Sequence, residues 1–423
     1  MREDRYGSQA ARVARRVMLA RALRDFGDGF VAVLLPVYLI ALGHTAFEVG
    51  VIATVALFGS AVLTLLIGAI GARYDLRTLL LAASLLMTGS GIGYAVADEY
   101  WVLITVALVG TINPSAGSAN VFVPLEHSVL AQHVAPLART RAFARYSLVG
   151  ALAAACGSLA AAAPEWLATL GVERLVAFKL MFVAYATLGI ASGVVYRGVP
   201  HQRRAIGKSR APLGQARSIV LKLAALFSID AFAGGFVVQS LLALWLFERF
   251  DLSLAAASAV FFWMGVVAAF SFPAAAWLGS RIGLVNTMVF THIPASVCLI
   301  LAAFAPTLEL TVALLIVRAM LGQMDVPARS SYVMAVVSEA ERPAAASATA
   351  VPRSLAAAAS PAIAGLLFTA GLQIWPLLIC GGLKIAYDLL LFAAFRRLKP
   401  PEETVTAIST RATRSPRDPE PRR

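Results

Sequence analysis

The chain has 423 residues, of which 59% are hydrophobic and only 14% are charged, whereas an average soluble domain carries about 25% charged residues. This composition excludes an ordinary soluble protein and leaves little of the chain for a globular domain beside membrane-spanning helices. The 36 basic and 23 acidic residues give a net charge of +13. In a membrane protein such an excess indicates topology before it indicates nucleic-acid binding.

Twelve apolar runs follow one another along the chain, and each has the roughly 20 residues that a helix needs to cross a bilayer. Spans 1 to 12 are predicted at residues 21–42, 47–70, 78–97, 101–127, 146–163, 175–196, 223–247, 254–279, 284–305, 308–334, 346–369 and 373–395. Because the number of spans is even, both chain termini are predicted to lie on the same side of the membrane.

The basic residues identify that side. Most of the 36 lysines and arginines lie in the two tails, the central connection and the other even-numbered loops, and the positive-inside rule places such segments in the cytoplasm. We therefore expect a multi-pass protein of the plasma (inner) membrane with both termini in the cytoplasm. The expected cytoplasmic segments are an N-terminal tail at residues 1–20, a central linker at 197–222 and a disordered C-terminal tail at 397–423.

The linker divides the chain into two similar units, residues 21–196 and 223–396, each with six spans. Residues recur between the units at an almost constant offset of 206 and then 203 positions. The matches are Phe26, Gly29 and Phe30 with Phe232, Gly235 and Phe236, and Val123, Pro124, Ser128 and Arg139 with Val326, Pro327, Ser331 and Arg342. The pattern predicts an all-α integral membrane protein whose twelve transmembrane helices form two pseudo-symmetric six-helix bundles. Such duplication is typical of transporters, in which two bundles rock about a shared site near the midplane.

Two loops carry a family resemblance. Residues 68–77, Gly-Ala-Ile-Gly-Ala-Arg-Tyr-Asp-Leu-Arg, resemble the glycine, acid and arginine motif between helices 2 and 3 of the major facilitator superfamily, and residues 277–283 occupy the same place in the second half. The resemblance implies the fold of that family, a cavity lined by spans 1, 4, 7 and 10, and a cytoplasmic gate. Arg73 and Arg281 would contribute to the gate by pairing with acids or helix C-termini; alternatively, each arginine only anchors the cytoplasmic face.

Six acids lie within the predicted spans, where an unpaired charge costs several kcal/mol. They are Asp25, Asp28, Glu126, Asp230, Asp325 and Asp388. All except Asp388 lie on the spans that the resemblance assigns to the cavity. We expect Asp25, Asp28, Asp230 and Asp325 to line the cavity and to carry protons, although Asp25 and Asp28 could instead be hydrated anchors at the interface.

Local spacing predicts the partners of several of these charges. Arg24 and Asp28 are four residues apart on one helix face, as are Lys384 and Asp388, so each pair is expected to form a local ion pair. Asp25 is left without an obvious partner. Asp230 occupies the position equivalent to Arg24, which suggests complementary charges that face each other across the pseudo-twofold axis.

Arg318 lies about ten residues into span 10, close to the midplane, and with Gly322 and Gln323 it is similar to an arginine and glycine motif of the same family. Two roles are open for Arg318. Either an acid such as Asp25 or Asp230 neutralises its charge, or Arg318 binds an anionic group of the substrate. We expect neutralisation, because buried charges are usually paired.

Glu126 and Arg329 occupy nearly equivalent positions in spans 4 and 10, near the cytoplasmic ends of their helices. Arg329 can also pair with Asp325 along one helix face. We expect Glu126 and Arg329 to join Arg145 and Arg353, on the neighbouring spans 5 and 11, in a cytoplasmic gate. The gate would close when the cavity opens outward.

The leading hypothesis is a secondary transporter that works by alternating access and exports an amphipathic or toxic compound with proton coupling. The alternative is uptake or facilitated exchange of an organic anion, with Arg318 as substrate ligand, and a non-transporting sensor or scaffold is a third class. No nucleotide-binding glycine loop or catalytic cluster occurs, so no enzymatic activity, cofactor or metal site is expected. The expected partners are a small-molecule substrate, protons and the lipid bilayer, with no nucleic acid, and the protein is expected to be a monomer.

Overall fold

The structure, a computed structural model, describes residues 2–70, 73–115, 120–134, 136–201, 214, 217–338 and 341–396. The helices described in the first half are α1 (Arg2–Ala41), α2 (Ala46–Ile70), α3 (Leu76–Val96), α4 (Tyr100–Val109), α5 (Phe122–His133), α6 (Pro136–Ala160), α7 (Ala163–Thr169) and α8 (Arg174–Arg197). Those of the second half are α9 (Arg217–Gly235), α10 (Gln239–Phe250), α11 (Leu254–Ile282), α12 (Leu284–Phe304), α13 (Leu308–Gly322), α14 (Asp325–Ala335), α15 (Arg342–Thr369) and α16 (Trp375–Phe395).

These helices form the twelve predicted spans. In the part of the chain that the structure describes, nine stretches have the length and mean hydropathy of a membrane-crossing helix, and they correspond to spans 2, 3, 5 to 9, 11 and 12. The other three are span 1 in α1, span 4 in α4 and α5, and span 10 in α13 and α14. These three spans carry most of the buried charges, and two of them, spans 4 and 10, are divided into helices that are each too short to cross a membrane.

Spans 4, 7 and 10 are not the continuous helices that the sequence predicts. Span 4 is interrupted between Val109 and Phe122, span 7 between α9 and α10, and span 10 between α13 and α14. In span 4, Pro114 has no N–H group, and its free carbonyl accepts a hydrogen bond of 3.1 Å from the Ser240 N–H at the start of α10. Non-helical backbone at membrane depth is tolerated where protein or a cavity satisfies it.

The predicted N-terminal tail is helical where the structure describes it. Helix α1 begins at Arg2 and continues without interruption into span 1. Val13 and Val17 are buried, so this extension packs against the first half. Most of the predicted linker, residues 202–213 and 215–216, and the predicted tail at 397–423 lie outside the described residues.

The duplication is visible in how the helices pack. In the first half, α1 crosses α6 so closely that a Cβ atom on Gly29 would overlap the carbonyl oxygen of Ala154. In the second half, α9 crosses α15 in the same way, and a Cβ atom on Gly235 would lie 2.5 Å from the carbonyl oxygen of Ala357. These residues are separated by the same offsets, 206 and 203, as the sequence matches, so the repeat preserves a helix crossing that only glycine permits.

The two halves meet at the ends of the helices nearest the odd-numbered loops. The N–H of Phe47 in α2 donates to Thr369 in α15 at 3.0 Å, and the N–H of Leu254 in α11 donates to Glu165 in α7 at 2.6 Å. Towards the other end, α2 and α15 separate around a crevice of about 50 Å³. The central cavity between the halves lies towards the end at which α1 begins and α16 ends, where Arg21, Arg329 and Arg353 line it.

Candidate substrate cavity

A cavity of about 610 Å³ lies between the two halves, a size in the range of small-molecule sites. Among the described residues of the first half, the ionisable ones that line the cavity are Arg21 and Asp25. The second half contributes Asp230, His292, Arg318, Asp325, Arg329, Arg353 and Lys384. Five basic side chains therefore face three carboxylates, and the wall of the cavity carries an excess of positive charge when His292 is neutral.

In the first half, the buried charge pair joins span 1 to span 4. Arg24 Nη2 donates to Glu126 Oε2 at 2.5 Å, and the two side chains are 1% and 0% exposed. Tyr146 and Tyr196 donate their hydroxyl hydrogens to the same carboxylate at 2.5 and 2.6 Å, and the guanidinium stacks 4.1 Å from the ring of Phe122. Neither charged residue is among those that line the cavity, so this pair is a closed structural unit.

The two aspartates of span 1 have different surroundings. Asp25 lines the cavity and forms an ion pair of 2.6 Å with Arg21, so the expectation that it lacks a partner is wrong. Asp28 does not pair with Arg24; its carboxylate accepts from Tyr185 at 3.0 Å. Because Asp28 lies behind the cavity wall, only Asp25 remains a cavity acid in span 1.

In the second half, the corresponding pair joins span 7 to span 10. Arg329 Nη1 donates to Asp230 Oδ2 at 2.8 Å, and Arg329 also pairs with Asp325 at 3.3 Å, as their spacing predicts. The other oxygen of Asp230 accepts from Lys384 at 2.5 Å. Lys384 therefore pairs with Asp230 and not with Asp388, which corrects the local pair expected in span 12.

The two pairs occupy equivalent positions with opposite polarity. Arg24 corresponds to Asp230 at the offset of 206, and Glu126 corresponds to Arg329 at the offset of 203. The first half thus places its cation on span 1, whereas the second half places its anion on span 7. The expectation that Arg24 and Asp230 face each other across the axis is wrong, because each pairs within its own half.

Arg318 lies in α13 and faces the cavity. Among the described residues it has no carboxylate oxygen within 4.0 Å, since Asp25 pairs with Arg21 and Asp230 pairs with Arg329 and Lys384. The neutralisation that the sequence favours is therefore not observed. Gln323, which follows α13, lines the same cavity and offers an amide beside this cation.

The predicted gate residues are not brought together in this open arrangement. Glu126 contacts Arg24 and neither Arg145 nor Arg353; Arg145 is exposed on α6, and Arg353 is exposed on α15 at the edge of the cavity. Two further gate arginines, Arg73 and Arg281, are also exposed, and the guanidinium of Arg281 lies 4.5 Å from the ring centre of Trp277. The gate stays a prediction for the closed conformation, and Glu126 is withdrawn from it because it is already paired.

One group of functional candidates was missed by the sequence. His292 in α12 lies with Nδ1 at 3.0 Å from Asp388 Oδ2 and with Nε2 at 3.3 Å from Lys384 Nζ. His292 is not among the residues that the sequence predicts for the site, because its spacing to the other histidines does not indicate a metal site. The available signal was an imidazole in the middle of a span that has no Asp, Glu, Lys or Arg.

Two six-span halves around a central charged cavity define a class of membrane transporters in which the halves expose one site to alternate sides. The family model of the Major Facilitator Superfamily matches residues 17–308 and 224–419. The chain belongs to this family, which establishes a multi-pass membrane transporter fold.

Solved structures share the fold at low sequence identity. A bacterial homologue of the human lysosomal transporter Spinster, in an inward-facing and unoccupied conformation, is 14% identical, with 91% of this chain and 98% of that chain covered and a TM-score of 0.68. The nucleoside transporter NupG is 14% identical, with coverage of 90% and 99% and a TM-score of 0.69. The human organic anion transporter MFSD10 is 18% identical, with coverage of 90% and 99% and a TM-score of 0.63.

A relative also exists among curated sequences. An uncharacterized membrane protein of Saccharomyces cerevisiae is 21% identical over 411 residues, which is 88% of this chain and 92% of the yeast protein. The likeness extends over nearly the whole of both chains and supports the same membrane architecture.

Proposed function

We propose that the protein transports a small organic anion by alternating access and that Arg318 binds the anionic group. The observation that carries this proposal is the guanidinium of Arg318, which faces the cavity and has no carboxylate partner among the described residues. A charge at membrane depth without a partner is unfavourable, and an anionic ligand would supply the missing partner. The planar guanidinium can also hold a carboxylate through two parallel hydrogen bonds.

The composition of the cavity wall favours this substrate class over the amphipathic compound of the leading sequence hypothesis. Apolar efflux cavities are rich in aromatic and methionine side chains, whereas this wall contains Phe261 and Met264 but nine ionisable residues. The solved relatives named above include a nucleoside transporter and an organic anion transporter. Since one fold accommodates both, the argument for an anion rests on Arg318 and on the excess of cations.

The proposal also includes the orientation in the membrane, the oligomeric state and the coupling ion. The basic bias of the even-numbered loops favours insertion into the plasma membrane with both termini in the cytoplasm, and the cavity would then be open to the cytoplasm. A monomer is proposed as the transporting unit, because both halves that line the cavity belong to one duplicated chain. Protons are proposed as the coupling ion, because carboxylates and an imidazole line the same cavity.

The test is anion exchange in proteoliposomes that contain the purified protein. The probes are radiolabelled benzoate and succinate, with neutral benzamide as the matched uncharged probe. We expect exchange of at least one anion and no exchange of benzamide. Arg318→Gln should reduce anion exchange about tenfold or more, because a hydrogen bond to a charged group contributes about 1.5–3 kcal/mol.

Arg318→Lys keeps the positive charge but loses the planar guanidinium with its two parallel donors. We expect it to retain part of the anion exchange, at a higher half-saturating anion concentration. Arg249→Gln removes an exposed arginine at the end of α10, outside the cavity, and serves as the matched control. If the wild type carries the lipophilic cation tetraphenylphosphonium but neither anion, and Arg318→Gln leaves that transport unchanged, the anion proposal is wrong and proton-coupled export of an amphipathic compound is favoured.

A further inference from the structure

We propose that His292 binds the coupling proton of this transporter and that its protonation releases Lys384 into the cavity, where Lys384 joins Arg318 in binding the anionic substrate. The proposal deepens the proposed function and rests on it, because it takes the substrate to be an anion. It depends on the placement of one imidazole between a buried carboxylate and a cavity lysine.

One side of the imidazole is fixed by Asp388. The carboxylate of Asp388 is 0% exposed, and its oxygens lie 3.0 and 3.1 Å from His292 Nδ1. Within the described residues, His292 is the hydrogen-bond partner that Asp388 has. An ionised carboxylate can only accept, so Nδ1 carries a hydrogen and Nε2 is the nitrogen free to gain or lose a proton.

The other side of the imidazole faces Lys384 and Asp230. Lys384 Nζ lies 3.3 Å from His292 Nε2 and 2.5 Å from Asp230 Oδ1, and Asp230 Oδ1 is 3.8 Å from Nε2. In the neutral ring, Nε2 accepts a hydrogen from the ammonium group. When a proton forms an N–H bond at Nε2, the ring becomes a donor and a cation, so it repels the ammonium and is attracted to Asp230.

The charges around this site leave room for one proton. Lys384, Tyr387 and Asp388 of α16 and Asp230 of α9 contact His292, and Asp325 and Arg329 of α14 and Arg318 of α13 line the same cavity. Helix α11 also packs against α12, and its ionisable residue is Arg281, at the exposed C-terminal end of the helix. Asp230 and Asp325 pair with Arg329 and Lys384, so Asp388 is the carboxylate of this group without a cation among the described residues, and a protonated His292 would supply one.

Lys384 can move in response. Its side chain is 14% exposed and lines the cavity, and a lysine carries its charge on a flexible four-carbon stem. Asp230 keeps Arg329 as a partner at 2.8 Å when the lysine leaves. The displaced ammonium then adds a second cation beside Arg318, so the protonated protein binds an anion more tightly than the neutral one.

By linkage, the anion must in turn raise the affinity for the proton. Proton and anion then occupy the cavity together and cross in the same direction. The first half has no counterpart of this device, because Leu86 and Gly89 occupy the positions equivalent to His292 at the two offsets. The coupling site is thus confined to the half whose charge pair lines the cavity.

The first experiment detects the proton itself and needs no substrate. The full-length protein is labelled with 15N and 13C at histidine in detergent micelles, and the ring signals are followed between pH 5 and 8. We expect one ring that disappears in His292→Gln and that takes up a proton in this range, and Asp388→Asn should abolish that uptake. His127→Gln removes a histidine of the first half outside the cluster and is the matched control. A His292 ring that stays in one protonation state throughout would overturn the proposal.

The second experiment measures coupling in proteoliposomes with the probe, benzoate or succinate, that the wild type exchanges. Accumulation driven by an imposed pH gradient is divided by exchange at equal pH, so that a folding defect cancels. The ratio should fall at least tenfold in His292→Gln and in Asp388→Asn and stay unchanged in His127→Gln. An unchanged ratio in both cluster variants would overturn the coupling site. If the wild type exchanges neither anion, the proposed substrate class is wrong, whereas the histidine titration still decides whether His292 is a proton site.

Discussion

The two halves contain the same charge pair in opposite polarity and use it differently. In the first half, Arg24 and Glu126 are 1% and 0% exposed, and two tyrosines complete the hydrogen bonding of the carboxylate. In the second half, Asp230 and Arg329 line the cavity, and Asp230 is shared with Lys384. The first pair joins span 1 to span 4 behind the cavity wall, whereas the second pair lies in the cavity wall and also contacts Lys384 and Asp325.

This difference shows how a duplicated unit can divide its roles. Both pairs occupy equivalent positions on equivalent helices, so backbone geometry does not distinguish them. The neighbouring side chains do: tyrosine hydroxyls surround the first pair, and ionisable groups surround the second. A charge pair between membrane helices can therefore be a fixed structural contact or a contact that shares its partners with other groups, and the neighbouring side chains determine which.

The largest effect is expected for Glu126→Gln, which removes the anion of the first pair and tests whether that pair is structural. We expect a loss of about 3–5 kcal/mol in the free energy of unfolding, because Arg24 is left as an unpaired buried charge. Denaturant-induced unfolding in mixed micelles measures this value. A loss below about 1 kcal/mol would show that the first pair does not stabilise the contact between spans 1 and 4.

Tyr196→Phe tests whether the tyrosines make the first pair rigid. It removes the hydroxyl that donates to Glu126 Oε1 at 2.6 Å, and a hydrogen bond to a charged group contributes about 1.5–3 kcal/mol. The matched control is Tyr94→Phe, since the buried Tyr94 hydroxyl has no hydrogen-bond partner in the described part of the chain. We expect the same unfolding measurement to give a clear loss for Tyr196 and almost none for Tyr94; equal losses would contradict the comparison.

Asp230→Asn applies the matching change to the second half. Arg329 keeps Asp325 as a partner, and Lys384 can reach the cavity, so we expect a smaller loss of about 1–2 kcal/mol in the free energy of unfolding. Anion exchange in proteoliposomes should depend less on pH than in the wild type, because Lys384 is free to enter the cavity without protonation of His292. The comparison fails if Asp230→Asn destabilises the protein as much as Glu126→Gln does.

The smallest effect is expected for the stability of Arg318→Gln. Because Arg318 pairs with no carboxylate among the described residues, its removal takes away an unfavourable buried charge. The free energy of unfolding should remain within about 0.5 kcal/mol of the wild type or increase. A loss as large as that of Glu126→Gln would reveal that Arg318 has a structural partner, and it would remove the main support for the anion site.

The spacing of residues predicted which charges are buried but not how they pair. Arg24 and Asp28 are close enough along a helix to pair, as are Lys384 and Asp388, yet each finds a partner on another helix. A pair four residues apart contributes only about 0.5 kcal/mol, so a partner that completes the solvation of a buried charge prevails. The break in span 7 has no sequence signal, since the apolar residues 236–238 continue through it, whereas Asn113 and Pro114 in span 4 and Gly322 and Gln323 in span 10 are signals that could have predicted the other two breaks.

The sequence by itself determined the membrane character, the number of spans, the duplication and the bias of positive charge towards one side, because these follow from composition, run length and periodicity. Only the tertiary structure decided that Glu126 pairs with Arg24, that His292 lies between Asp388 and Lys384, and that Arg318 faces the cavity with no carboxylate partner among the described residues. The physical reason is that the partner of a buried charge is chosen by the crossing of helices far apart in sequence, where distances of a few ångströms decide between an ion pair and an open binding site.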